Sequence, residues 1–285
     1  MSPDSFTFRP FLEDEARGPY ESSRVVVLPI PHEATVSWES GTAQGPNAIL
    51  EASEHLELYD ERFDREPWRA GVWTAEPLQS PDRGSVVRAA TNYLDDDKWL
   101  LSLGGEHSIT PWLVEACAKR HPSLTVVQLD AHADLRETFH GRADNHACAM
   151  ARSLEHASAV RAFGIRAYSV EERDRMARDP DSLWIHAWEM EGDGWMERLL
   201  EGLDGCPVYL TLDLDGFDPA ILPATGTPEP GGVGWDPVVR FLDRLCQQCN
   251  VVAADIVELA PRPQLHHADF LAARLAYTLI GCRFR

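Results

Sequence analysis

The chain alternates between two hydrophobic periodicities. Short β-branched or leucine-rich runs, bounded by Gly, Pro or charged residues, predict strands. They are "RVVVLPI" at 24–30, "KWLLSLGG" at 98–105, "LTVVQLDAH" at 124–132, "AVRAFGIRAYS" at 159–169, "PVYLTLDLD" at 207–215 and "NVVAADIVELA" at 250–260. Between them lie stretches with helical spacing, at 45–60, 108–121, 145–156, 170–179, 236–248 and 267–281. Pro46 suits the first turn of the first of these. Strand and helix in alternation predict an α/β fold with three α-β-α layers around a mostly parallel central sheet. In such folds ligands bind beyond the carboxyl ends of the strands.

That expectation gives weight to where the polar residues fall. Four predicted strands run into unusual polar clusters: "LLSLGGEHS" reaches His107, "VVQLDAHAD" reaches Asp130, His132 and Asp134, "LTLDLDGFDP" reaches Asp213, Asp215 and Asp218, and "VVAADIVELAP" reaches Glu258. On an extended chain, positions i, i+2 and i+4 point the same way, so Asp130, His132 and Asp134 can converge. A strand-to-loop junction is commonly polar, but scattered surface charge would not sit at four equivalent places.

Composition narrows the function. The chain has 285 residues and is 44% hydrophobic and 25% charged, which suits a single catalytic domain over 1–285, with 1–23 as an N-terminal extension. A net charge of −20 argues against nucleic acid or an anionic membrane as partner and favours cationic small molecules and metal ions. The first residues have no signal-peptide pattern and no apolar run is long enough to span a bilayer. Six scattered cysteines, with Cys246 and Cys249 forming a lone CxxC near a helix end, read as reduced thiols in a cytoplasmic protein.

The donors His107, His132, Asp130, Asp134, Asp213 and Asp215 comprise two imidazoles and four carboxylates, too many for one small ion. They suit two divalent ions sharing carboxylates. An oxygen-rich set without thiolate favours Mn²⁺, with Co²⁺, Fe²⁺ or Zn²⁺ as alternatives. Such a pair can lower the pKa of a bridging water toward neutrality, so the expected chemistry is hydrolysis. A single-zinc deacetylase would leave extra carboxylates repelling one another. "DLDGF" also resembles a phosphatase nucleophile motif, but it lies past midchain and lacks the later partners. Asp218 is equally a turn residue or a partner that orients a ligand. Gly104 and Gly105 permit a tight turn before His107. Glu258, after an apolar strand, needs a partner if buried, either a cationic substrate group or an internal Arg.

Taken in order, "GGEHS", "DAHAD", "LDLDGFDPA" and "GTPEPGG" resemble the ureohydrolases, the arginase and agmatinase family, over roughly residues 25 to 285. The resemblance implies an arginase-like fold with its metal site at the carboxyl ends of the strands. It implies His107 on one ion, His132 and Asp215 on the second, Asp130 and Asp213 as bridges, and Asp134 as a ligand that also contacts the bridging hydroxide. It implies Glu258 on the guanidinium and His146 as proton shuttle or substrate contact. The implied reaction is attack of that hydroxide on a guanidinium carbon. The HAC segment points to agmatine, giving putrescine and urea in polyamine synthesis. Guanidinobutyrate, arginine and formimidoylglutamate are the alternatives. Arg136 stands where arginases carry an Asn that reads the amino-acid end of the substrate. Leu50 stands where an Arg is common, a difference expected to affect packing or assembly. Family members are commonly homo-trimers or homo-hexamers.

Overall fold

The computed structural model describes residues 8–285. Eight strands form one sheet: β1 (Val25–Ile30), β2 (Val72–Thr74), β3 (Trp99–Gly104), β4 (Thr125–Leu129), β5 (Ala159–Ile165), β6 (Leu183–His186), β7 (Pro207–Asp213) and β8 (Asn250–Val257). Their order is β2-β1-β3-β8-β7-β4-β5-β6, and every pairing is parallel. Among the described residues the α-helices are α1 (Gly45–Ser53), α2 (Arg83–Asp95), α3 (Thr110–Ala118), α4 (Ala149–Ser153), α5 (Val170–Met176), α6 (Gly194–Leu200), α7 (Trp235–Gln248) and α8 (His266–Arg283).

Alternate strand residues feed two separate cores, as a sheet buried on both faces requires. In β1, Val25 and Val27 belong to the core that also holds α1, α6, α7 and α8, whereas Val26, Leu28 and Ile30 belong to the core with α2, α3 and α4. The sheet is therefore the middle of three layers. It is wholly rather than mostly parallel.

The differences from the sequence pattern lie at the margins. The outermost strands, β2 and β6, have three and four residues and too little periodicity to stand out. Helices α2 and α6 lie outside the predicted helical stretches, although Asp82 and Ser85 form a reciprocal cap at the start of α2. The predicted helix at 145–156 is a 3₁₀ turn, His146–Cys148, leading into the five-residue α4. Residues 1–7 of the expected extension lie outside the described residues. Its remainder is tied down, with Phe11 and Leu12 buried and their amides donating to Thr74 Oγ1 and Ser53 Oγ, each at 2.9 Å. Leu50 is fully buried in the core. All six cysteines are unpaired. Among the described residues no helix is long and apolar enough to cross a membrane.

The strand order positions the site. β8, last in the chain, inserts between β3 and β7, and β4 flanks β7 on the other side. The four strands that run into polar clusters are thus consecutive neighbours, and their carboxyl ends open on one spot.

Candidate metal centre

Each side chain reaches that spot by a different local device. β3 ends at Gly104, and Gly105 passes so close to the neighbouring chain that an added Cβ would lie 2.0 Å from His32 O. Only glycine fits there, and His107 follows in a short 3₁₀ turn. After β4, Asp130 Oδ1 accepts from His132 N at 2.6 Å, and Asp213 Oδ1 accepts from Asp215 N at 2.9 Å after β7. Two Asp-x-His/Asp turns therefore clasp their own backbone in the same way. Ala131 N donates to Asp215 Oδ1 at 3.1 Å and joins the two loops.

The expectation of an extended chain from Asp130 to Asp134 needs correction. β4 stops at Leu129, and Asp134 has φ of +51°. Glu258 has φ of +67°. Both are left-handed positions that L side chains adopt at a cost of order 1–3 kcal/mol, and both aim a carboxylate into the site. Asp134 arrives by a turn of the chain, not by strand alternation.

The resulting geometry is compact. His107 Nδ1 lies 2.9 Å from Asp134 Oδ2 and 3.3 Å from both Asp130 Oδ2 and Asp213 Oδ2. His132 Nδ1 lies 3.0 Å from Asp215 Oδ2 and 3.6 Å from Asp130 Oδ1. Two groups thus have metal-binding spacing, His107–Asp130–Asp134 and Asp130–His132–Asp215, and Asp130 turns one oxygen toward each. Asp213 belongs to neither group but touches the first through His107. His146 stands apart on its loop, with Nδ1 2.8 Å from Thr35 Oγ1 and Nε2 2.8 Å from Ser37 Oγ. It lines the same cavity as Asp134, Asp213 and Glu258, which has a volume of about 140 Å³.

The donor set fits divalent cations. His107 Nε2 is engaged by Thr211 Oγ1 at 2.9 Å, so Nδ1 faces the carboxylates. Nδ1 is fully buried and has no hydrogen-bond partner of good geometry, an orphaned nitrogen that a cation at this point would satisfy. Burial pushes the Asp134 carboxyl up to about 7, and the Asp130 charge adds to it. Burial raises Asp213 well above the ordinary carboxylate range, with Asp215 and Asp130 contributing. Burial also opposes ionisation of Asp130, but the His107 and His132 rings outweigh it and hold that carboxyl low. Burial disfavours both imidazolium forms, yet the surrounding carboxylates raise His107 and His132 well above the usual histidine value. Four carboxylates against two imidazoles crowd more acidic than basic groups into a largely buried site. Cations relieve that imbalance.

Glu258 lies on the same cavity. Its Oε1 accepts from His107 N at 2.7 Å, and burial, with the Asp215 and Glu106 charges, pushes it up to about 8 despite that bond. Of its two anticipated partners, no internal Arg bonds to it among the described residues. Asp218 proves to be a loop clasp: its oxygens accept from Ala220 N, Gly231 N and Gly232 N. Arg136, also on the cavity, lies 3.6 Å from Glu172 and stacks over the Phe139 ring at 5.0 Å.

Several supports escaped sequence reasoning. Gln128 Nε2 donates to Asp130 Oδ2 at 2.7 Å. Its signal was a buried amide two residues before Asp130, on the same strand face. Thr211 carries the same signature before Asp213. Arg166 donates to the backbone oxygens of Gly164 at 2.9 Å, Asp215 at 2.7 Å and Glu229 at 2.8 Å, pinning the "LDLDGFD" and "GTPEPGG" loops together. Its bonds to Asp215 and Glu229 span 49 and 63 residues, and no local pattern shows them.

The sequence model of the Arginase family matches residues 23–282. A relative in Synechocystis sp. named N(1)-aminopropylagmatine ureohydrolase is 39% identical over 98% of this chain and 96% of its own. A Bacillus cereus relative named agmatinase is 33% identical over 85% of each chain. The crystal structure of agmatine ureohydrolase of Thermoplasma volcanium superposes with a TM-score of 0.84 at 30% identity, covering 98% of this chain and 95% of that one. With its site at the ends of the four central strands and kinship over nearly its whole length, this chain belongs to the Arginase family and is a ureohydrolase-type enzyme, one of the hydrolases that act on guanidino compounds.

Proposed function

We propose that this enzyme hydrolyses the guanidino group of an aminoalkylguanidine without a carboxylate, releasing urea and a polyamine. Glu258 carries the reading. A part-buried carboxylate on the cavity wall beside two metal-type clusters, with no cationic side chain bonded to it among the described residues, calls for a cation from outside. A guanidinium supplies the charge and two parallel donors.

His107, Asp130 and Asp134 would hold one divalent ion and Asp130, His132 and Asp215 a second, with Asp213 between them; Mn²⁺ is the first choice. Such a pair supplies a nucleophilic hydroxide at neutral pH and Lewis-acid charge stabilisation. The chain's own residues do the rest. Glu258 grips the guanidinium and fixes its carbon. Asp134, on the same cavity as Glu258 and His146, is placed to take and return a proton. His146 meets the leaving amine from the loop opposite.

Agmatine is the substrate suggested by the HAC segment and by the agmatinase relatives. The relatives at 36–39% identity are instead named for N(1)-aminopropylagmatine, whose longer chain carries one more amine. The cavity suits that extra charge: Glu33, the 76% exposed Trp38 and Glu39, which also pairs with Arg262, line it. We place the aminopropyl compound first and agmatine second. Unpaired thiols fit a cytoplasmic enzyme, and a homo-trimer or homo-hexamer is the assembly proposed.

The test is urea release by the Mn²⁺-loaded protein from N(1)-aminopropylagmatine, agmatine, arginine and guanidinobutyrate side by side. A kcat/KM at least roughly tenfold higher for the aminopropyl compound, about 1.4 kcal/mol of extra binding to the transition state, is expected. Preference for agmatine would restore the second reading. Preference for either carboxylate-bearing compound would overturn both.

A further inference from the structure

Glu106 lies in the "GGEHS" turn, is 1% exposed, and bonds to the loop at 34–35 and to Ser108. Its Oε2 accepts from Ala34 N at 2.7 Å and Thr35 N at 2.6 Å. Its Oε1 accepts from Thr35 Oγ1 at 2.9 Å and from Ser108 Oγ. Four donors converge on it, the full capacity of an ionised carboxylate. Thr35 Oγ1 in turn meets His146 N at 3.3 Å and His146 Nδ1 at 2.8 Å.

A hydroxyl has one proton and two lone pairs. The Thr35 proton is committed to Glu106, and one lone pair takes the His146 amide. The other lone pair can be satisfied only by a proton on His146 Nδ1. We infer that Glu106, acting through Thr35, sets the tautomer of His146: Nδ1 carries the proton, and the Nε2 lone pair is left at the cavity rim, where Ser37 Oγ now occupies it. Glu106 and Thr35 are positioning residues for this reaction. With this tautomer the imidazole meets a bound substrate as an acceptor, and an imidazolium formed at Nε2 would face a carboxylate one hydroxyl away. The opposite tautomer would present an N–H and could accept nothing there. The network also fastens the loop carrying Val36 and Trp38 to the end of β3.

The kinetic part of the test rests on the hydrolase reading; the spectroscopic part does not. Full-length protein labelled with ¹⁵N-histidine and loaded with diamagnetic Zn²⁺ would be read by long-range ¹⁵N–¹H NMR, with His146→Gln assigning the ring. Wild type and Thr35→Ser should show the Nδ1–H form. Glu106→Gln keeps the shape but gives the Thr35 hydroxyl a donor, so the Thr35 proton turns to Nδ1 and the ring should switch to Nε2–H. Thr35→Val should lose the fixed tautomer. In urea release, Thr35→Val should lower kcat by up to roughly 100-fold with little change in KM, the lower end of general acid–base effects. Thr35→Ser should restore it. An Nε2–H ring in wild type, or an unchanged tautomer in both Glu106→Gln and Thr35→Val, would overturn the inference. If the wild type released no urea from any guanidino compound, the proposed function would fail while the NMR comparison still decided the tautomer.

Discussion

Thr211 Oγ1 lies 2.9 Å from His107 Nε2, and both residues are buried at the centre of the fold. The contact turns the ring so that Nδ1 faces three carboxylates. Metal-binding histidines are regularly held this way through their second nitrogen. Thr211→Val should weaken divalent-metal affinity by roughly 10- to 100-fold. Calorimetric titration with Mn²⁺ reads this directly, and unchanged affinity would show that the ring needs no such support.

Asp130 is the residue that the two metal-spaced groups share. Asp130→Asn removes the charge but keeps the shape. The variant should bind neither ion stoichiometrically and release no urea. Retention of both ions with full turnover, by elemental analysis and assay of the same sample, would refute a bridging role.

Glu258→Gln tests substrate capture separately. Its carboxylate faces the cavity and bonds to His107 only through the backbone amide. Metal content should be unchanged. kcat/KM should fall roughly 10- to 150-fold, the worth of a charge-assisted hydrogen bond at about 1.5–3 kcal/mol. Equal kcat/KM in the variant would remove Glu258 from the substrate site.

Metal removal should make stability depend on pH in a particular direction. Burial holds the Asp134 carboxyl up to about 7 and Asp213 also high, against about 3.9 in an unfolded chain. Between those limits the folded state binds more protons, so its stability falls as pH rises. His107 and His132 are raised well above the usual value, so the stability they add below about pH 6.5 is lost as pH rises through their folded values. Asp130 is lowered, and its contribution is lost only in strong acid, outside this window. The melting temperature of EDTA-treated protein should therefore decline from about pH 5 to pH 8, and Mn²⁺ should flatten the decline. A pH-independent melting temperature without metal would mean that the cluster is not strained when empty.

The sequence by itself determined much of this protein. Six strands announced themselves because their residues are buried on both faces and apolar throughout. Glycine at 105 and the alternating acids after β4 and β7 were legible because local backbone geometry dictates those residue types. What only the tertiary structure decided is which strands are neighbours. β8 joins β3 and β7 across more than a hundred residues of chain in one direction, and that long-range pairing is what brings His107, Asp130, Asp213 and Glu258 together. The short edge strands β2 and β6 bury too little to leave a periodic mark. The left-handed turn at Asp134 depends on contacts made after the chain has closed. Thr35 and Glu106 lie 71 residues apart, and each is an ordinary polar residue in its own segment. Their role arises from a shared proton, and hydrogen bonds of that kind form only between groups that folding has already brought together.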